Sequence, residues 1–242
     1  MTPRVRPRAG WPGKIGLFLS LPVFALALAH ANWLYRWDLL FYDWNLAAWS
    51  RAPADDIVIV AIDEQSLREL GRWPWSRRTH AQLIRQLGAA GARAIALDTV
   101  FAADAELAVA LAENGRVVLP VLGEQNRLGG QLLETLPIPV LARAAAGMGH
   151  IDVELDPDSI ARGVYLRAGL GSPYWPTLAL ALLELATSDP AAARALPGQR
   201  AAAISPPSPY AWQRDYRILI PFAGPPGHFR RFSYNEVLRG GV

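Results

Sequence analysis

The sequence predicts an α/β fold: a mostly parallel sheet flanked by helices, with one antiparallel hairpin, preceded by a single N-terminal transmembrane helix. Three observations lead there. Short apolar runs rich in β-branched residues recur at 56–63, 92–98 and 116–122, bounded by turn formers, as buried parallel strands require. Helical patterns separate them at the spacing of βαβ units. The twenty residues from Ile15 to Leu34 carry no Asp, Glu, Lys or Arg, and that length matches a bilayer.

Arg4, Arg6, Arg8 and Lys14 precede the apolar run with no acid beside them, and Trp33, Tyr35 and Trp37 follow it. Basic residues before and interfacial aromatics after predict a cytoplasmic N-terminus over 1–14, a membrane helix over 15–35 and an exported body over 36–242. A cleavable signal peptide is the alternative, because Ala27-Leu28-Ala29 is a small-x-small site behind an apolar core. In DLLFYDWNLAAW (38–49), Phe41, Trp44 and Ala48 recur at helical spacing, consistent with a helix leaving the membrane or with an ordinary core helix.

In the body, the strand at 56–63 ends on Asp63 and leads through a short helix at 64–70 to the stretch GRWPWSRRTHAQLI. Thr79 and Gln82 form a capping box for a helix ending at Gly88 or Gly91. The strands 56–63 and 92–98 then form a right-handed βαβ unit, parallel and adjacent. Asp104 caps a helix at 105–115, and 116–122 supplies a third strand. Further on, 138–147 reads as a helix, 150–168 as an antiparallel hairpin and 176–187 as a helix with proline in its first turn. The proline-rich stretch 188–216 is irregular, 217–224 is a late buried strand and 233–240 a terminal helix.

Composition removes several function classes. The chain has 24 basic and 21 acidic residues, and removing the four N-terminal basic ones leaves 20 against 21. A body so close to neutral lacks the electrostatic footprint for nucleic acid. The absence of cysteine excludes disulfides, thiol catalysis and thiolate metal sites. The chain contains no G-x-S-x-G, H-E-x-x-H or phosphate-loop motif, and no dinucleotide fingerprint follows the first strand, so no catalytic residue and no cofactor is expected.

Six residues stand out as candidates for binding. Asp63 and Asp98 occupy equivalent strand ends, where open parallel sheets collect ligands, and His150 heads a third extended run. As neighbours, the two carboxylates would perturb each other or recruit a cation. Alternatively each aspartate accepts hydrogen bonds from the backbone of the turn that follows it, and His150 is satisfied by a carbonyl. Arg72, Trp73 and Trp75 suit a rigid wall for a planar or anionic ligand, a contact for a partner subunit, or a hydrophobic lid over the sheet end.

Taken in order, the stretches IVIVAIDEQSL, GRWPWSRRTHAQLI, GARAIALDTVF, VVLP, GMGHIDVELDPDSIARGVYL, WPTLALALL and ILIPFAGPPGHF resemble the CHASE domain of the second type. That family comprises extracytoplasmic sensory modules of bacterial receptors. The resemblance covers most of 36–242. It implies a periplasmic domain that binds a small ligand, and a membrane anchor. It also implies an output module beyond residue 242: a histidine kinase, a nucleotide cyclase or a cyclic-dinucleotide enzyme. A homodimer is expected. Two other readings remain open: a membrane-tethered hydrolase using Asp63, Asp98 and His150 with a divalent metal, and a structural dimerisation domain with WPW as its interface.

Overall fold

The computed structural model describes residues 11–30, 35–49, 51–99, 101, 105–125, 132–187, 196–201 and 208–241. The chain divides into two units, Met1–Pro53 with Phe222–Pro225, and Ala54–Pro221 with Pro226–Val242.

The first unit contains α1 (Trp11–His30) and α2 (Tyr35–Ala48). Helix α1 starts four residues before the uncharged run, so it takes in Lys14, and it carries Pro22 in its middle and stops at His30. Residues 31–34 lie outside the described residues. No helix among the described residues is long and apolar enough to cross a membrane, so the expected transmembrane helix over 15–35 is not supported. The helix read over 38–49 is present as α2, but it has no buried residue, so it is not a core helix.

The second unit contains β1 (Val58–Ala61), α3 (Glu64–Leu70), α4 (Arg77–Ala89), β2 (Ile95–Ala96), α5 (Ala105–Asn114), β3 (Val117–Gln125), β4 (Leu132–Thr135) and α6 (Pro139–Ala144). It continues with β5 (Gly147–His150), β6 (Gly163–Leu170), β7 (Trp175–Pro176), α7 (Leu178–Ala186), β8 (Trp212–Leu219), β9 (Arg230–Ser233) and α8 (Tyr234–Leu238). The fold is α/β, but its sheets are mixed. In the four-stranded sheet β3 pairs in parallel with β2 and β5 and antiparallel with β4. The three-stranded sheet β7-β6-β8 is antiparallel.

Strand β1 pairs in parallel with β9, not with β2, so the expected adjacency of 56–63 and 92–98 is corrected. The expected hairpin over 150–168 reduces to an isolated bridge between Glu154 and Gly163. The returning strand β6 takes β8 as its long-range partner, with register from Gly163 opposite Leu219 to Leu170 opposite Trp212. That strand begins inside the stretch read as irregular, at Trp212, and its end is not buried: Leu219 is about half exposed.

Helix starts follow local hydrogen bonding. Ser76, rather than Thr79, caps α4: its hydroxyl accepts from the Thr79 amide at 3.4 Å and lies 3.0 Å from the Thr79 hydroxyl. Both residues are good caps, and the turn after Trp75 brings the earlier one into place. The helix ends as expected, with Gly91 at φ +85° and the Ala92 amide returning to the Leu87 carbonyl at 3.0 Å. Trp175 and Pro176 form β7 instead of a helical turn, an edge position where a missing N–H is harmless. Thr177 then caps α7, accepting from the Leu180 amide at 3.0 Å. The proposed Asp104 cap lies outside the described residues.

The main core lies where α4, α5 and α6 cover β2 and β3. Ala81 and Ile84 of α4, Leu107 and Leu111 of α5, Leu141 of α6, and Val117 and Leu119 of β3 are almost wholly excluded from water. Each large aliphatic side chain there contributes roughly 1.5–3 kcal/mol. The ion pairs Arg78–Glu106 and Arg85–Glu113 between α4 and α5 are exposed and contribute little.

At Gly149 the start of α7 is pressed against β5. A Cβ built there would stand 2.7 Å from both the N and Cα of Leu178, with backbone on the far side rather than a yielding side chain. Gly149→Ala should therefore cost roughly 1–3 kcal/mol of stability. Urea denaturation checks this, and an unchanged midpoint would contradict the close approach.

Candidate functional site

Asp63 belongs to a joint between the two ends of the second unit. It is the N-cap of α3, and its Oδ1 accepts from the Ser66 amide at 2.9 Å, the Ser66 hydroxyl at 2.7 Å and the Ser233 hydroxyl at 3.0 Å. These donors, Ser66 first, hold the carboxyl below its usual range. Ser66 is fully buried and also accepts from the Asn235 amide at 3.2 Å. The Asn235 side chain donates to Glu69 at 2.8 Å, and Arg239 pairs with the same carboxylate. Asp63 thus satisfies backbone and hydroxyl donors, as the capping alternative anticipates, and it ties β1 and α3 to β9 and α8.

Asp98 is exposed and follows β2, which is not a partner of β1. Among the described residues, no group of three His, Asp or Glu side chains is placed to hold a metal. Asp63, Asp98 and His150 accordingly form no metal centre.

The aromatic stretch lies inside the fold. Trp75 is 5% exposed, its indole N–H donates to the Gly71 carbonyl at 2.8 Å, and its ring lies 4.8 Å from Tyr234 and 5.3 Å from Trp73. Trp73 meets His80 edge-on at 5.5 Å, and Leu83, Val237 and Leu238 complete the cluster. Trp75 is thus packed within the chain, where its cluster fixes α8 against α4. Arg72 is exposed beside it. His80 is buried, with Nδ1 at 2.7 Å from the Tyr234 hydroxyl, and burial pulls its pKa down to about 4. Burial likewise pushes the Tyr234 hydroxyl upward.

His150 sits at the other polar centre, at the end of β5, with 1% exposure. Its Nδ1 accepts from the Asp152 amide at 3.3 Å, and its Nε2 is buried without a hydrogen-bond partner. Asp152 in turn takes the Arg214 guanidinium at 2.6 and 2.9 Å and the Trp212 indole N–H at 2.9 Å. Although burial opposes ionisation of Asp152, the Arg214 and Trp212 hydrogen bonds hold its carboxyl below the usual range. The same alternation continues: Glu154 meets Arg217 at 3.2 Å, and Asp156 meets Arg162 at 2.9 Å. Arg162, 3% exposed, also reaches Asp158 at 2.8 Å.

Sequence reading singled out His150 but missed Asp152, Trp212 and Arg214. The signal was the period-2 spacing of His150, Asp152, Glu154 and Asp156 in HIDVELD, which places the acids of one face of an extended segment against Arg162, just before β6, and Arg214 and Arg217 of β8.

Two hollows accompany these centres. One of about 10 Å³ is lined by Thr99, Phe101, Leu119, Pro120, Pro137 and Leu141, room for no more than a water molecule. An open polar depression of about 410 Å³ lies between α3 and α8, lined by Gln65, Asn235, Glu236 and Arg239 with the two glycines that follow. None of the six candidate residues lines either hollow.

The model of the CHASE2 domain family matches residues 18–242. The chain belongs to the CHASE2 family. CHASE2 domains are extracytoplasmic sensory domains of signalling receptors, the class that the ordered stretches of sequence resemble. No curated protein and no solved structure matches the chain.

If the two tryptophans are core rather than a ligand wall, truncation at Trp75 and at the neighbouring surface will differ sharply. Trp75→Ala should lower stability by roughly 3–5 kcal/mol, whereas Arg72→Ala should stay within about 0.5 kcal/mol. Chemical denaturation of both variants measures this, and a mild Trp75→Ala would contradict the packing.

Proposed function

We propose that this CHASE2 domain is the input module of a membrane-tethered bacterial receptor. Its second unit lies outside the cytoplasm, takes up a small ligand and passes a change of shape to an output module beyond residue 242. The observation that carries the reading is the family match over residues 18–242.

The first unit supports the tether. Phe18, Leu21, Val23, Phe24 and Leu26 of α1 are all more than half exposed, and α2 presents Trp37, Phe41 and Trp44 to the surroundings. A helix whose apolar side chains find no protein cover loses the hydrophobic contribution that folding normally supplies, and a lipid phase restores it. Tryptophan beside such a helix fits the membrane interface.

The joint around Asp63 supports the transmission step. It fixes α8, the last element, to the first strand through buried hydroxyls and Asn235, so a shift at either end of the second unit is felt at the other. Association into a homodimer would give such a shift a partner to act on, as an output enzyme made of two copies requires.

Alkaline phosphatase, which is active only after export, tests the topology when fused behind Val242. Phosphatase activity in the membrane fraction is expected. An inactive fusion recovered in the soluble fraction would overturn the proposal.

A further inference from the structure

Of the buried side-chain polar atoms among the described residues, His150 Nε2 alone has no hydrogen-bond partner. Its neighbours come from every element packed around it. Asp152 is two residues on in the same segment, Tyr165 and Arg167 are on β6, Trp212 and Arg214 are on β8, and β3 presents the apolar Val121 as its strand partner. On the α7 side the adjoining residue is Thr177, whose hydroxyl already caps that helix.

The hydrogen bond from the Asp152 amide requires a lone pair at Nδ1, so the neutral ring carries its proton on Nε2. Protonation places a second N–H at Nδ1, facing an amide N–H that cannot turn into an acceptor. Nδ1 then donates toward an amide that cannot accept, and Nε2 is buried without a hydrogen-bond partner, so the Tyr165 backbone is left as the one neutral group that favours the cation. The nearest carboxylate, Asp152, has its oxygens engaged by Arg214 and Trp212, and Glu154 is engaged by Arg217. Two guanidinium groups, Arg214 and Arg167, add like-charge repulsion.

We propose that His150 is a proton-operated latch: taking up a proton breaks its hydrogen bond to the Asp152 amide and releases the 150–156 segment from β8. Asp152 is the hinge of this release, because it holds both His150 through its amide and Trp212 and Arg214 through its carboxylate. Opening lets water reach the cation and separates the four-stranded sheet from the antiparallel one. The receptor reading supplies the reason an acid stimulus would matter, whereas the latch itself is a property of this chain alone.

His80 shows why burial is not enough. It is also held neutral, but its Nδ1 faces the Tyr234 hydroxyl, which can turn from donor to acceptor as the ring charges. The Asp152 amide has no such freedom.

The direction with pH is fixed by chemistry. Burial pulls the His150 pKa down to about 4 from its ordinary 6.5, with Arg214 and Arg167 assisting and Asp152 and the Tyr165 backbone opposing. The closed form is therefore fully favoured above 6.5, and that advantage is lost as pH falls from 6.5 toward 4.

The test uses the full 242-residue chain with ¹⁵N-labelled histidine. At pH 7.5 the His150 ring should show the Nε2-protonated tautomer, and it should titrate well below 6.5. Corrected for intrinsic exchange, amide protection at Asp152 and along β8 should fall up to about 30-fold between pH 7.5 and 5, while α5 and β3 keep theirs. His150→Asn retains an acceptor where Nδ1 stood and cannot titrate, so its β8 protection should stay flat; His80→Asn should still respond. A proton on Nδ1 in the neutral ring, a pKa at or above 6.5, or an unchanged acid response in His150→Asn would each overturn the latch. Should that variant fail to fold, the wild-type tautomer and the local exchange decide. Loss of protection on β8 only together with α5 would also overturn it, and none of these results bears on the phosphatase fusion.

Discussion

Charge compensation across the 150–156 segment is the constraint on which the second unit depends. Three acids at alternate positions, Asp152, Glu154 and Asp156, meet Arg214, Arg217 and Arg162. Alternation puts all three on one face of an extended chain. That segment continues β5, a member of the four-stranded sheet, and the arginines rise from the start of β6 and from β8. The ladder is therefore the seam between two sheets that otherwise share few strand hydrogen bonds. Its members differ in consequence. Arg162 is nearly inaccessible, so removing one of its carboxylates leaves a charge away from water, whereas the Arg217–Glu154 pair is about one-third exposed and screened.

A second joint complements the seam. Asp63 gathers two serine hydroxyls and a backbone amide, and Trp75 and Tyr234 close over the adjoining helix with apolar surface. The seam is wholly polar, whereas the second joint combines a polar cluster at Asp63 with aromatic packing at Trp75 and Tyr234. Strand β9 and helix α8 are fixed to β1 and α3 through Asp63, Ser66 and Ser233. The family assigns sensing to the domain.

Local chemistry made much of the fold legible. The apolar run at 116–122 gave the buried β3 and that at 56–63 gave β1, though Val58 and Ile59 of β1 are exposed rather than buried; the amphipathic repeat around Leu83, Ile84 and Leu87 gave α4, and Gly91 marked its end. Pairing was harder to read. Strand β9 carries Arg230 and Arg231, both exposed, with no apolar alternation to announce it, so β1 could not be assigned its true neighbour. Thr79 and Ser76 obey the same capping rule three residues apart, and only the turn after Trp75 chooses between them. The acids of HIDVELD passed unremarked, because the arginines that neutralise Asp152 and Glu154 lie some sixty residues away. The period-2 spacing of HIDVELD marks one face of the segment but does not name the arginines that meet it, which is why His150 stood out and its network did not.

The central claim is that the ladder joins the two sheets as an interacting set rather than as independent surface pairs. A double-mutant cycle on Asp152→Asn and Arg214→Gln, read by urea denaturation at neutral pH, addresses it directly. The bidentate geometry and partial burial predict a coupling energy above about 1 kcal/mol. Strictly additive losses, with a coupling near zero, would contradict it.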